Sequence, residues 1–187
     1  MADRRRSQPS KRFSWGRTTI RERRLGARLD RELAPIGAVL HGCRIPDATH
    51  RIDHLIVAPT GVWTVVAEHS SGAVSVTGPK GDQRLHLGDQ DQQGRITTAS
   101  FAAERVRQLL VPVGFDWVDV SATLCFTNAK WGMIAKEVEI GGVCVTWGKA
   151  LVDRVGTPGP ISVKDAKSIA EVLGQQVIVD DVSTRRT

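Results

Sequence analysis

Asp53 and Glu68 are the residues whose type and spacing first suggest chemistry. They stand near the start and at the end of residues 51–69, two apolar runs rich in β-branched residues and joined at Pro59-Thr60-Gly61. That pattern predicts a β-hairpin. Side chains alternate along a strand, which puts Asp53 with Leu55 and Val57, and Glu68 with Val62, Thr64 and Val66. If the two acids face the same way, one end of the sheet holds two carboxylates, and hard oxygen ligands suit a divalent cation. The other reading is two acids in solvent at strand ends. The pattern alone leaves both open.

The rest of the chain must position that hairpin. A helix is predicted from Thr18 or Thr19 to Ala34, with Leu25, Leu29 and Leu33 on one face and Pro35 ending it. Glu22 falls in its first turn among arginines, where intrahelical pairing is its plainest role. A short strand at Ala38–His41 leads to the hairpin. A second hairpin follows at Ala73–Thr77 and Arg84–Leu87, and Gly88–Gly94 reads as a polar surface loop. A helix over Ile96–Leu110 takes its apolar face from Phe101, Val106, Leu109 and Leu110. Strands are predicted at Val118–Phe126, Val138–Ile140 and Val143–Trp147, and helices at Lys149–Val155 and Val163–Leu173, the last capped by Ser162. This mixture predicts an α/β (α+β) domain with a central mixed sheet flanked by helices.

The 187 residues give room for one domain with a substantial core. No apolar run approaches the ~20 residues of a membrane span, and the basic N-terminus lacks the apolar segment of an export signal. Cys43, Cys125 and Cys144 show no C-x-x-C spacing and no ligand-like spacing with the five histidines, which argues against zinc and for a reducing, cytoplasmic compartment. The nucleotide cradles G-x-G-x-x-G and G-x-x-x-x-G-K-[ST] are absent, so no nucleotide cofactor is expected, and there is no G-x-S-x-G elbow. His54 and His69 are expected in the core or at its rim, and the five tryptophans in the core or at its edge.

The net charge of +6 belongs to one end. Residues 1–24 carry a net +7, which leaves −1 for the remainder. Residues 1–16 are expected to form a disordered basic arm, residues 17–179 the folded domain, and residues 180–187 a frayed tail. Arg4, Arg5, Arg6, Lys11, Arg12 and Arg17, with Trp15 among them, suit a nucleic-acid backbone with a stacked base; a solvated tail is the alternative.

Taken in order, Leu25-Gly26 through Leu40-His41, Arg44-Ile45-Pro46, Ile52-Asp53-His54 and Gly61-Val62-Trp63 make the chain resemble the nuclease-related domain (NERD) family. Leu124-Cys125-Phe126, Gly142-Val143 through Trp147, and Lys149-Ala150-Leu151 continue the likeness, which runs from about Arg17 to Val177. The family is similar to the PD-(D/E)xK nucleases, so the resemblance implies a restriction-endonuclease-like fold. It also implies a helix Glu, a strand Asp and a downstream acid-x-Lys around Mg²⁺ or Mn²⁺, which polarises a phosphate and activates water.

On that pattern Glu22 matches the helix acid, with Asp30 a less favoured register, and Asp53 matches the strand acid. The third motif departs: Val66 replaces the metal-binding acid and Glu68 the lysine. The resemblance therefore implies a nuclease-related protein with impaired catalysis that binds DNA or RNA through its arm. Two alternatives stand beside it. One is a Mg²⁺- or Mn²⁺-dependent phosphodiesterase with Glu22, Asp53 and Glu68 as metal ligands; the other is a module that binds a protein partner. No membrane association is expected.

Overall fold

The computed structural model describes residues 20–46, 51–132 and 136–179, with side chains described from Arg24 onward. The predicted first helix is α1, Ile20–Leu33, and its leucines at positions 25, 29 and 33 are all buried. Three antiparallel strands follow: β1 (Ala38–Arg44), β2 (Arg51–Ala58) and β3 (Gly61–Glu68). The predicted hairpin is β2 and β3, turning at Pro59 and Thr60.

The second hairpin is β4 (Val74–Thr77) with β5 (Arg84–Leu87). The stretch read as a polar loop differs from expectation: Gln90–Asp91 pairs with β5 as β6, and α2 (Gln93–Leu110) begins within it. Its burial also differs. Phe101 is exposed, and the packed face is Ile96, Ala99, Ala102, Ala103, Val106 and Leu110. Small alanines let the helix lie close to the sheet, so its largest apolar residue is not its packing residue.

Past α2 the chain enters β7 (Val120–Phe126), which runs parallel to β3. Then β8 (Val138–Ile140) turns back into β9 (Val143–Trp147), which is parallel to β7. Helices α3 (Gly148–Val155) and α4 (Val163–Gln176) follow, and Ser162 caps α4 by accepting from the Asp165 N–H. The two-residue strand β10 (Ile178–Val179), not expected from the sequence, pairs with β1. The main sheet is ordered β10-β1-β2-β3-β7-β9-β8, mixed and seven-stranded.

Alternation divides the hairpin between two cores. Leu55, Val57, Val62 and Val66 face α2 and α4, while Ile56, Ala58, Trp63 and Val65 face α1 and α3. The hairpin turn is fixed from outside. Thr60 Oγ1 donates to the Val155 carbonyl and accepts from Trp63 Nε1, and the Ile161 N–H donates to the Pro59 carbonyl. Gly159 lies so close that a Cβ there would stand 2.1 Å from the Pro59 carbonyl oxygen.

Candidate functional site

Asp53 sits where strand β2 jogs. The β1–β2 register pairs His41 with His54 and Cys43 with Ile52, but skips the Gly42–Asp53 position between them; the β2–β3 ladder ends at His54 with Val65. Gly42 takes a φ of 62°, which favours glycine, and a Cβ there would meet the Arg51 guanidinium at 2.8 Å. Ile52 and Leu55 consequently pack in the same core, so the simple alternation expected through Asp53 does not hold. The side chain takes over from the broken ladder: Asp53 Oδ2 accepts the Ala67 N–H at 2.9 Å.

Glu68 is buried on the α2 side of β3, the side of Val66. Its Oε1 accepts from the backbone N–H and hydroxyl of Ser70, and its Oε2 lies 2.7 Å from Arg95 Nη2 in the first turn of α2. Burial pushes the carboxyl upward, but the Ser70 hydroxyl, the Arg95 charge and the N–H groups of Ser70 and His69 outweigh it and hold it below its ordinary value. The reading of Glu68 as an acid in solvent does not describe this residue. It is a buried carboxylate with a cation of its own.

Val66 is 5% exposed inside the apolar core and offers no oxygen. Glu22 lies in the first turn of α1, but its side chain falls outside the described set. Arg4, Arg5, Arg6, Lys11, Arg12, Trp15 and Arg17 also lie outside the described residues, as do the arm and tail boundaries at residues 1–16 and 180–187. Among the described residues no three His, Cys, Asp or Glu side chains gather to hold a metal ion.

Asp30, the other helix-acid register, has a partner. His41 Nε2 lies 2.9 Å from its Oδ1, and His41 Nδ1 lies 2.7 Å from Nδ1 of buried His54. Burial foremost, then the charges of His41 and Arg51, push the His54 pKa down to about 3, so its ring is neutral. The Asp30 carboxylate can only accept, and this assigns the tautomers. His41 donates to Asp30 from Nε2, and in its neutral form its Nδ1 accepts from the Nδ1–H of His54. His54 is therefore a core histidine, as expected, linked through His41 to Asp30 of α1, which spacing did not reveal.

A recess of about 780 Å³ opens at the C-terminal ends of the parallel strands β3, β7 and β9. Ligands of open α/β sheets bind at such strand ends. Exposed Arg24, Arg28 and Arg31 of α1 line one side and exposed Lys149 of α3 the other. Half-buried Trp131 and Trp147 meet there with ring centroids 4.8 Å apart and planes inclined at 52°. Nε1 of Trp131 is buried with no hydrogen-bond partner among the described residues. His69 forms the rim and bonds Thr127 Oγ1 at 2.7 Å. Of the other tryptophans described, Trp63 is buried as expected and Trp117 is 58% exposed, outside the core.

A mixed sheet flanked by helices, with its hairpin acids at one end, defines an α+β protein of restriction-endonuclease-like arrangement. The chain belongs to the nuclease-related domain (NERD) family, whose model matches residues 17–127. The match takes in α1, both hairpins and β7, and ends before the second half of the cleft. Comparison with curated proteins and with solved structures gives no match.

Proposed function

We propose that this chain is a nuclease-related domain that binds nucleic acid and has lost efficient hydrolysis. The observation that carries this reading is the pairing of Glu68 with Arg95 beside a buried Val66. The family pattern asks for a metal-binding acid at 66 and a cation at 68. Here 66 brings no oxygen, and both oxygens of Glu68 already have donors. A divalent ion there would have to displace Arg95 from a carboxylate whose two oxygens already have donors, so the described residues do not fit the ion.

Nucleic-acid binding is supported by charge. The net +7 of residues 1–24 offers phosphate contacts whose formation releases counterions. Three buried cysteines without a disulfide support a reducing, cytoplasmic setting. Among the described residues no helix is long and apolar enough to cross a membrane.

The test uses full-length protein with labelled DNA and RNA, and in parallel with plasmid and single-stranded substrates in Mg²⁺ or Mn²⁺. Salt-sensitive binding, weakened when Arg4, Arg5, Arg6, Lys11 and Arg12 are replaced by serine, is expected without cleavage. Cleavage abolished by Asp53→Asn would instead establish the phosphodiesterase alternative. Neither binding nor cleavage would leave a protein-interaction module.

A further inference from the structure

We infer that the cleft at the C-terminal ends of β3, β7 and β9 takes single-stranded nucleic acid, with a base against the Trp131–Trp147 pair and backbone phosphates on Arg28 and Lys149. This deepens the nucleic-acid reading above and rests on it.

The charges come first. Arg24, Arg28 and Arg31 recur at helical spacing on one face of α1, and Lys149 faces them from α3. Among the described residues no carboxylate lines the cleft. Arg28 and Arg31 touch Glu32, and Lys149 touches Asp153, but these pairs are solvent-exposed and exchange readily for phosphate. Arg24 has no ion-pair partner among the described residues. The first turn of α3 opens onto the same space without a side-chain cap, adding N–H groups to the cationic wall.

The aromatic floor then selects the form of the ligand. Rings inclined at 52° cannot cover one another's faces, and both tryptophans keep exposed surface. A base inside a duplex has both faces covered by its neighbours, whereas a base in a single strand is open to an aromatic. A recess of about 780 Å³ admits an unstacked nucleotide but not a duplex. Close approach of the walls requires Gly148, where a Cβ would meet Leu25 at 3.1 Å.

The experiment is fluorescence anisotropy of full-length protein with a labelled single-stranded oligonucleotide, the matching duplex and a labelled mononucleotide. The single strand should bind about tenfold tighter than either, and Trp131→Met should remove about that advantage. Trp131 also packs against the core, so Arg28→Gln with Lys149→Gln, both on exposed side chains, serves as the second variant. It should weaken single-strand binding and flatten its salt dependence. Equal affinity for strand and duplex, unmoved by either variant but lost with the arm arginines, would overturn the cleft and leave the nucleic-acid reading standing. Mononucleotide binding as tight as the oligonucleotide's would overturn the single-strand assignment. No binding of any nucleic acid would overturn both readings.

Discussion

Arg95 Nη2 lies 2.7 Å from Oε2 of Glu68, joining the first turn of α2 to the end of β3. Arg95 is half-exposed, so the pair contributes less than a buried one, and Arg95→Gln should cost about 1 kcal/mol at neutral pH. The dependence on pH has a definite sign. Glu68 titrates below its ordinary 4.5 when folded, so its stabilisation is present above that pH and is lost as pH falls through the folded value. Urea midpoints of wild type and variant should differ at pH 7 and converge in acid. Glu68→Lys, the change toward the family pattern, sets two cations together and should destabilise more than Arg95→Gln.

His54 gives a second acid sensitivity in a different window. Its pKa is about 3 folded against 6.5 unfolded, so its neutral form stabilises the fold above pH 6.5, and that stability drains as pH falls below it. The slope approaches about 1.4 kcal/mol per pH unit for one proton. His54→Gln keeps a donor toward His41 and does not titrate. Urea unfolding followed from pH 7.5 to pH 5 should show a flatter profile for the variant. Parallel profiles would mean that His54 is charged in the folded state.

The thiols should be inert. Burial foremost, with Cys144 nearby, pushes the Cys125 thiol up to about 12. Burial also raises Cys144, and the Arg154 charge offsets only part of it, leaving a value of about 11. The thiolate is the reactive form, so both cysteines are protonated at neutral pH. Together with buried Cys43, they should show no reaction with a thiol reagent at pH 7.5 until denaturant is added, and then all three should react.

The elements legible in the sequence were those whose burial follows a simple period. Leu25, Leu29 and Leu33 marked α1, and the alternation through Val62 and Val66 marked β3. Phe101 misled because α2 packs through alanines, which a search for large apolar residues passes over. Strands β6 and β10 are two residues each and exist through their partners, β5 and β1, so no local pattern announces them. The site was legible only where its parts were near in sequence. Asp53 and Glu68 share a hairpin, but the Arg95 that neutralises Glu68 arrives from the next helix. Arg28, Trp131 and Lys149 meet only because the parallel crossovers bring three strand ends beneath α1.

Asp53 is a structural acceptor as well as a candidate ligand, and the two roles separate by substitution. Its Oδ2 holds the Ala67 N–H at the point where the β2–β3 ladder ends. Asp53→Ala leaves that N–H without its acceptor and should cost about 1–2 kcal/mol. Asp53→Asn keeps an oxygen in place and should stay within about 0.5 kcal/mol of wild type. Urea denaturation measures both, and hydrogen exchange at the Ala67 amide should speed up only in the alanine variant. If asparagine destabilises as much as alanine, the carboxylate's charge rather than its acceptor oxygen holds the strand end. Any loss of cleavage seen with Asp53→Ala therefore mixes fold with chemistry, whereas a loss seen with a stable Asp53→Asn reports chemistry alone.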